Sequence, residues 1–434
     1  MVISFSRRRR IDDWRPEDAA YWRAVGKRVA WRNLVLSILV EHLGFAVWTI
    51  WSVAVLALGE YHFSVDQLFW LVALPNLVGA VLRIPYTFLP ARMGGANFTV
   101  LSALLLLIPA LLLVVAVRDP ATPYWMFLVI AATAGLGGGN FASSMANITN
   151  FFPAGKQGVA LGLNAAGGNV GVSSVQVVIP VVVAAYGVAA AGWVWVPLLL
   201  IAALAAWWGM DNLSSARASV REQLRVVRHR QMWVMSFLYI GTFGSFMGYA
   251  TAFPLLMRSE FPHLAVGALV FAGPLAGSLA RPLGGWLSDR YGGAKVTFWN
   301  FAVMGCGALA VWAAIASAVF PAFFAAFMLL FVTSGVGNGS TYRMIPAIFT
   351  TIERSAEGGR RATSSALGLV SAVGALGGFF INRAFGASYA AVGGAGAALA
   401  AFVLFYLVCC GVTWWCYMRT VLLWWRPSLA EARV

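Results

Sequence analysis

Charge is what this chain has least of. Only 10% of its 434 residues are Asp, Glu, Lys or Arg, where a soluble domain carries about 25%. Set against 61% hydrophobic residues and a mean hydropathy of +0.79, so few charges cannot coat a water-soluble surface. A soluble enzyme, a secreted disulfide scaffold and a disordered chain are excluded. Acidic residues are scarcer still, 15 against 30 Lys and Arg. The net charge of +15 is too dilute to form a basic face, which argues against a nucleic-acid partner. Four scattered histidines make no cluster of the kind a membrane enzyme needs, and no metal or cofactor is called for. The four cysteines, Cys306, Cys409, Cys410 and Cys416, lie in apolar runs without metal-ligand spacing and read as small buried hydrophobes.

Long apolar runs fill the chain instead. Twelve can be read, at 33–58, 67–90, 97–117, 124–150, 157–185, 190–210, 231–257, 264–288, 295–318, 320–350, 361–388 and 391–418. Each meets the length of about 20 residues that a helix needs to cross a bilayer. They are too long and continuous for the alternating strands of a β-barrel. The expectation is an all-α membrane protein, monomeric in the lipid bilayer. Residues 1–32 hold Arg7 to Arg10 and a polar, tryptophan-containing stretch, and read as a basic cytoplasmic tail with no cleavable signal. The chain then divides into spans 33–210, a polar linker 211–230, spans 231–418 and a tail 419–434.

Basic residues set the orientation. Twenty-four of the 30 fall in the two tails and in the loops after every even-numbered span; only Arg118 and Arg258 lie in the opposite loops. By the positive-inside rule both termini and the linker are cytoplasmic.

The halves repeat. Arg83, Arg92, Gly94 and Gly95 match Arg281, Arg290, Gly292 and Gly293 at an offset of 198. Gly135, Gly137 and Gly139 match Gly335, Gly337 and Gly339 at 200, and Leu161-Gly162-Leu163 matches Leu367-Gly368-Leu369 at 206. Two pseudo-symmetric six-helix bundles of like orientation describe the major facilitator architecture, with substrate near the midplane between them. The stretch Gly285 to Gly293 resembles that superfamily's loop motif between helices eight and nine, and Asp289 and Arg290 in it read as structural.

Four arginines stand inside spans: Arg83, Arg281, Arg343 and Arg383. An arginine at that depth costs at least about 2.5–3.5 kcal/mol on insertion scales, so it faces a cavity or a partner. Among carboxylates, Glu41 alone is clearly inside a span. Two repeat-related arginines, Arg83 and Arg281, without two matching carboxylates point to an external anion held by planar guanidinium forks. Arg343 has no obvious partner, and Arg383, near a helix end, is expected to snorkel.

Glycines carry the second signal. Gly135 to Gly139, Gly167 to Gly171, Gly335 to Gly339 and Gly374 to Gly378 each contain small residues four apart, which let helices approach closely. The expectation is that Gly137, Gly139, Gly167, Gly168, Gly171, Gly335, Gly337, Gly339, Gly374 and Gly378 serve helices that slide during alternation. Asn140, Asn164, Asn169 and Asn338 are interleaved with them, open either to an anion or to bonds across helices.

The stretches Gly135 to Asn147 and Gly162 to Gly171 resemble the nitrate signature of the nitrate/nitrite porter (NarK-type) family, and Gly335 to Pro346 resembles its second-half copy. The likeness spans essentially the whole chain, including Phe69 to Asn76 before Arg83. It implies a secondary transporter for nitrate and nitrite in the inner membrane, with Arg83 and Arg281 clamping the anion. It further implies Phe141 as the stacking ring of helix four, Asn169 as the polar contact of helix five, and Tyr239 and Phe243 as aromatics of helix seven.

Importing an anion against an inside-negative potential costs about 2.3 kcal/mol per 100 mV, so uptake needs coupling. Glu41 and His42 are the only candidate pair for proton coupling within a span, and Glu41 to Trp48 resembles the proton-linked branch of the family. Nitrate/proton symport is therefore favoured, with nitrate/nitrite antiport as the alternative and Glu41 as a mere interhelical bond still open. A facilitator for another small substrate, an anion channel and a membrane enzyme are more distant readings.

Overall fold

The computed structural model describes residues 10–214, 224–264, 267, 269–353, 356–419 and 429. Arg7 to Arg9 and most of the 419–434 tail lie outside them, as does 215–223 of the linker. Twelve long helices run through the described residues: α1 (Ala19–Ala57), α2 (Val65–Met93), α3 (Gly95–Ala116), α4 (Tyr124–Thr149), α5 (Ala154–Tyr186), α6 (Ala190–Gly209), α7 (Arg230–Glu260), α8 (Ala272–Tyr291), α9 (Gly293–Ala316), α10 (Phe320–Ile352), α11 (Ala356–Val392) and α12 (Gly396–Met418). Eleven are long and apolar enough to cross a membrane by composition. The exception is α8, where Arg281, Asp289 and Arg290 join glycine and proline in only 20 residues. It also starts eight residues later than hydropathy suggests, and Leu269, Val270 and Phe271 just before it form a turn.

Contacts divide the chain into two compact units, Met1–Tyr61 with Leu74–Val220, and His62–Ala73 with Arg221–Val434. In the first, α1 lies against α4, α5 and α6. In the second, α10 lies against α8 and α9, and α7 against α11. Phe253, Phe323, Phe327 and Phe331 interlock α7 with α10 at centroid distances of 4.9–6.2 Å.

Breaks in the helices have local causes. α3 is interrupted at Leu106, three residues before Pro109, and α6 at Val194, three before Pro197; proline has no N–H for the preceding turn. α7 widens to a π turn over Ile240–Gly244, between Tyr239 and Ser245. The repeat is also visible in backbone angles. Gly94 and Gly292 both adopt φ of +90°, a region that favours glycine, and each joins two helices without a loop.

The amino-terminal stretch differs from a free tail. Arg10–Ile11 pairs in parallel with Asn212–Leu213, and α1 begins at Ala19. The Asp18 carboxylate accepts hydrogen bonds from the N–H groups of Ala20 and Tyr21, which hold its carboxyl below the usual carboxylate range. Trp14 and Trp22 pack on Phe151 and Phe152, and Glu17 accepts from the Ala154 N–H at the start of α5. Spaced aromatics, not apolar length, dock this segment.

Hydropathy also misjudged side chains inside spans. Cys306 is exposed and Cys416 only partly buried, while Cys409 and Cys410 are buried, because an apolar run does not tell a helix's inner face from its outer one. Arg343 has a partner after all: its Nε donates to Asp289 at 2.6 Å. Arg383 does not simply snorkel. It pairs with Asp66 at 2.9 Å and its guanidinium lies 3.9 Å from the Trp70 ring centre. Arg290 lies beside the rings of Trp286 and Tyr291.

Candidate functional site

The residues singled out by sequence fall into one cluster in each unit. In the first, Arg83 on α2 is fully buried. Its Nε donates to the Gly138 carbonyl of α4 at 3.1 Å, and its guanidinium lies 4.6 Å from the Phe141 ring centre and 5.4 Å from that of Trp48. Glycine makes this approach possible. A Cβ on Gly138 would stand 2.7 Å from the Gly79 Cα, and one on Gly79 would meet the Trp48 ring at 2.6 Å. Trp48 is fixed in turn by its Nε1–H, which donates to the Pro75 carbonyl at 2.7 Å. Sequence reasoning missed Trp48, although it closes the Glu41 to Trp48 segment.

Beside this lies a buried polar knot. The Glu41 carboxylate of α1 accepts from Ser144 of α4 and from the Asn164 amide of α5, and Ser37 bonds Ser144 at 2.9 Å. Gly168 lies against the same carboxylate, with Glu41 Cγ 2.9 Å from where a Cβ would be. His42 turns elsewhere: its Nδ1 lies 3.0 Å from the Gly167 carbonyl, and since a carbonyl only accepts, Nδ1 carries the hydrogen. Adjacent in sequence, the two titratable groups thus have separate partners on α5.

Of the four asparagines, Asn164 bonds across helices. Asn140, Asn169 and Asn338 are at least 98% buried, and each has an Oδ1 without a partner among the described residues. A buried amide in that state has hydrogen-bonding capacity to offer a ligand or water.

In the second unit, Arg281 on α8 is 9% exposed, and its guanidinium lies 5.2 Å from the Tyr342 ring centre. Its Nη1 is buried without a hydrogen-bond partner among the described residues. Tyr342 leans on Tyr239 at 5.9 Å, Tyr239 stacks on Phe243 at 5.4 Å and 14°, and Phe243 stacks on Phe246 at 6.4 Å. Tyr239 and Phe243, expected on helix seven, therefore join the Arg281 cluster through Tyr342, which sequence reasoning missed. Its signal was in the repeat: Phe141 plus the offset of 200 lands on Thr341, one residue short.

The signature glycines sit at seams inside each unit. Gly137 faces the Gly44 carbonyl of α1, Gly139 the Tyr86 ring of α2, Gly167 Ile38 and Gly171 the His42 carbonyl. Gly335 faces the Gly277 carbonyl of α8, Gly339 the Arg281 carbonyl, Gly337 Asn300 and Thr242, and Gly374 Tyr239 of α7. Gly378 is buried on α11, and its carbonyl accepts from Asn382 at 2.7 Å. Apart from Gly378, these glycines of helices four, five, ten and eleven thus face α1, α2, α7, α8 or α9.

A family model described as Major Facilitator Superfamily matches residues 36–382. The chain is 42% identical to the nitrate/nitrite transporter NarU of Salmonella typhimurium, over 94% of this chain and 96% of that protein. It is 38% identical to the probable nitrate/nitrite antiporter NarK2 of Thermus thermophilus, again over 94% and 96%. Among solved structures, a bacterial homologue of the human lysosomal transporter Spinster superposes with a TM-score of 0.65 at 16% identity, covering 88% of this chain and 95% of that one. That likeness speaks for the fold.

Proposed function

The chain belongs to the major facilitator superfamily, in its nitrate/nitrite porter (NarK-type) family, and is a transporter rather than an enzyme; we propose that it carries nitrate, and with it nitrite, across the cytoplasmic membrane by alternating access. Arg83 and Arg281 clamp the anion. The observation that carries this reading is a pair of buried guanidiniums at repeat-related positions, each beside an aromatic ring on the fourth helix of its own half. Nitrate is planar and weakly hydrated. Guanidinium forks satisfy its oxygens, while Phe141, Tyr239 and Phe243 offer flat faces and Asn169 a buried amide. The signature glycines keep helix seams thin enough for the halves to shift. In this reading the protein is a monomer; both termini lie in the cytoplasm, which the 24 basic residues of the tails and even-numbered loops support.

For coupling, the reading is proton symport through Glu41. Its carboxyl sits among Ser37, Ser144 and Asn164, and a hydroxyl can reverse from donor to acceptor when the carboxyl takes up a proton. Exchange of nitrate for nitrite is the second reading, favoured by the description of the Thermus relative as a probable antiporter.

Nitrate binding to purified protein tests the clamp. Arg83→Lys and Arg281→Lys are each expected to weaken it by about 100-fold, since an ammonium cannot replace a two-pronged contact. Wild-type protein that binds no nitrate would end this reading. In proteoliposomes, Glu41→Gln is expected to abolish proton-driven nitrate uptake and to spare nitrate/nitrite exchange. Proton-driven uptake that survives the change removes Glu41 from the coupling.

A further inference from the structure

Arg83 and Arg281 are held very unequally. Arg83 has a backbone carbonyl and two rings, Phe141 and Trp48, around its guanidinium. Arg281 has, among the described residues, one neighbour that offsets its charge: the face of Tyr342. Its Nη1 is buried without a hydrogen-bond partner among the described residues, and a buried cation with no carboxylate beside it leans on whatever negative potential its walls supply. An aromatic face is such a wall, and its attraction for a cation grows when both are desolvated. Tyr342 is itself set by Tyr239, which stacks on Phe243. The ring order Phe243, Tyr239, Tyr342, Arg281 thus runs unbroken from α7 through α10 to α8.

We infer that Tyr342 is the positioning residue of the second half: its ring face orients Arg281 for the anion, as Phe141 does for Arg83. The ring does this, not the hydroxyl. The inference rests on the reading that Arg281 holds the anion. It goes beyond that reading by making anion affinity depend on a side chain outside the expected set.

The test is nitrate transport in proteoliposomes by full-length variants. Tyr342→Phe keeps the ring, and its KM for nitrate is expected to stay within about twofold of wild type. Tyr342→Leu removes the ring, and KM is expected to rise about tenfold while kcat changes less. A second series covers the case in which leucine does not fold: phenylalanines carrying successive fluorines at position 342 keep the shape and drain the ring's negative face. KM is expected to climb with each fluorine. A flat fluorine series overturns the inference, and so does a folded leucine variant with wild-type KM. A phenylalanine variant as impaired as leucine overturns it too, because it transfers the role to the hydroxyl. Arg281→Lys separates the two levels: if nitrate binding survives that change, the clamp itself is wrong. If it does not, a flat fluorine series rejects Tyr342 alone.

Discussion

The two halves of the molecule share a backbone plan and differ in what they place on it. At the offset of 198, Glu41 corresponds to Tyr239, Phe45 to Phe243 and Trp48 to Phe246. The glycines under them correspond as well. Gly168 lies against Glu41 and Gly374 against Tyr239; Gly79 meets the Trp48 ring and Gly277 the Phe246 ring. These two thin seams between helices have thus been kept in both halves. The side chain that fills the seam is a carboxylate in one half and a phenol in the other. Close packing at these seams therefore belongs to the shared plan, while a carboxylate in the seam belongs to the first half alone.

If the seams are the shared part, damaging them has the largest effect, and in both halves alike. Gly137→Ala would drive a methyl into the Gly44 carbonyl, and Gly335→Ala into that of Gly277, backbone atoms that cannot turn aside. Each is expected to destabilise the protein by about 1–3 kcal/mol or more, read as a lower thermal midpoint of purified protein in detergent. Gly162→Ala, with open space around it, is expected to be neutral or slightly stabilising. Equal midpoints for all three would break the comparison.

Smaller effects come from what only one half has. The Asp289–Arg343 pair has no first-half equivalent, because Ala91 stands where Asp289 would be. Both side chains are more than half exposed, so Asp289→Asn is expected to shift stability by at most about 1 kcal/mol. The smallest effect concerns Asp18, whose carboxyl is held below its usual value of 3.8 by the Tyr21 and Ala20 amides. A group with a depressed folded pKa contributes stability above its unfolded value and loses it as pH falls through the folded one. Hydrogen exchange of the Ala20 and Tyr21 amides is therefore expected to quicken, relative to the rest of α1, as pH drops below about 4, and to show no such step in Asp18→Asn.

Composition and hydropathy made much of this legible: the helical class, ten of the spans to within about five residues at each end, and the positions of Arg83 and Arg281. These follow from local runs and from a repeat that one sequence contains twice. What could not be read were partners across helices. Arg343 meets a carboxylate 54 residues away, and Arg383 meets one on α2, more than 300 residues off. No local pattern announces such contacts. Tyr342 escaped for a narrower reason: the offset between the halves drifts from 198 to 200 and 206, and a one-residue error separates it from Thr341. The docked segment before residue 33 escaped because aromatic anchors and a helix cap lack the apolar length that marks a span.

One small junction decides where the chain can be cut. Beyond the end of α6, Asp211 accepts from Arg32 and Asn33 of α1, and Asn212 accepts from the Ala96 N–H at the start of α3 while covering Gly94. Ser214 then bonds the Ile11 carbonyl. A first half produced as a separate polypeptide must therefore run through Ser214; ending it at Gly209 would preserve every span and still strip Arg32 and Asn33 of α1, the start of α3 and the Arg10–Ile11 strand of these partners.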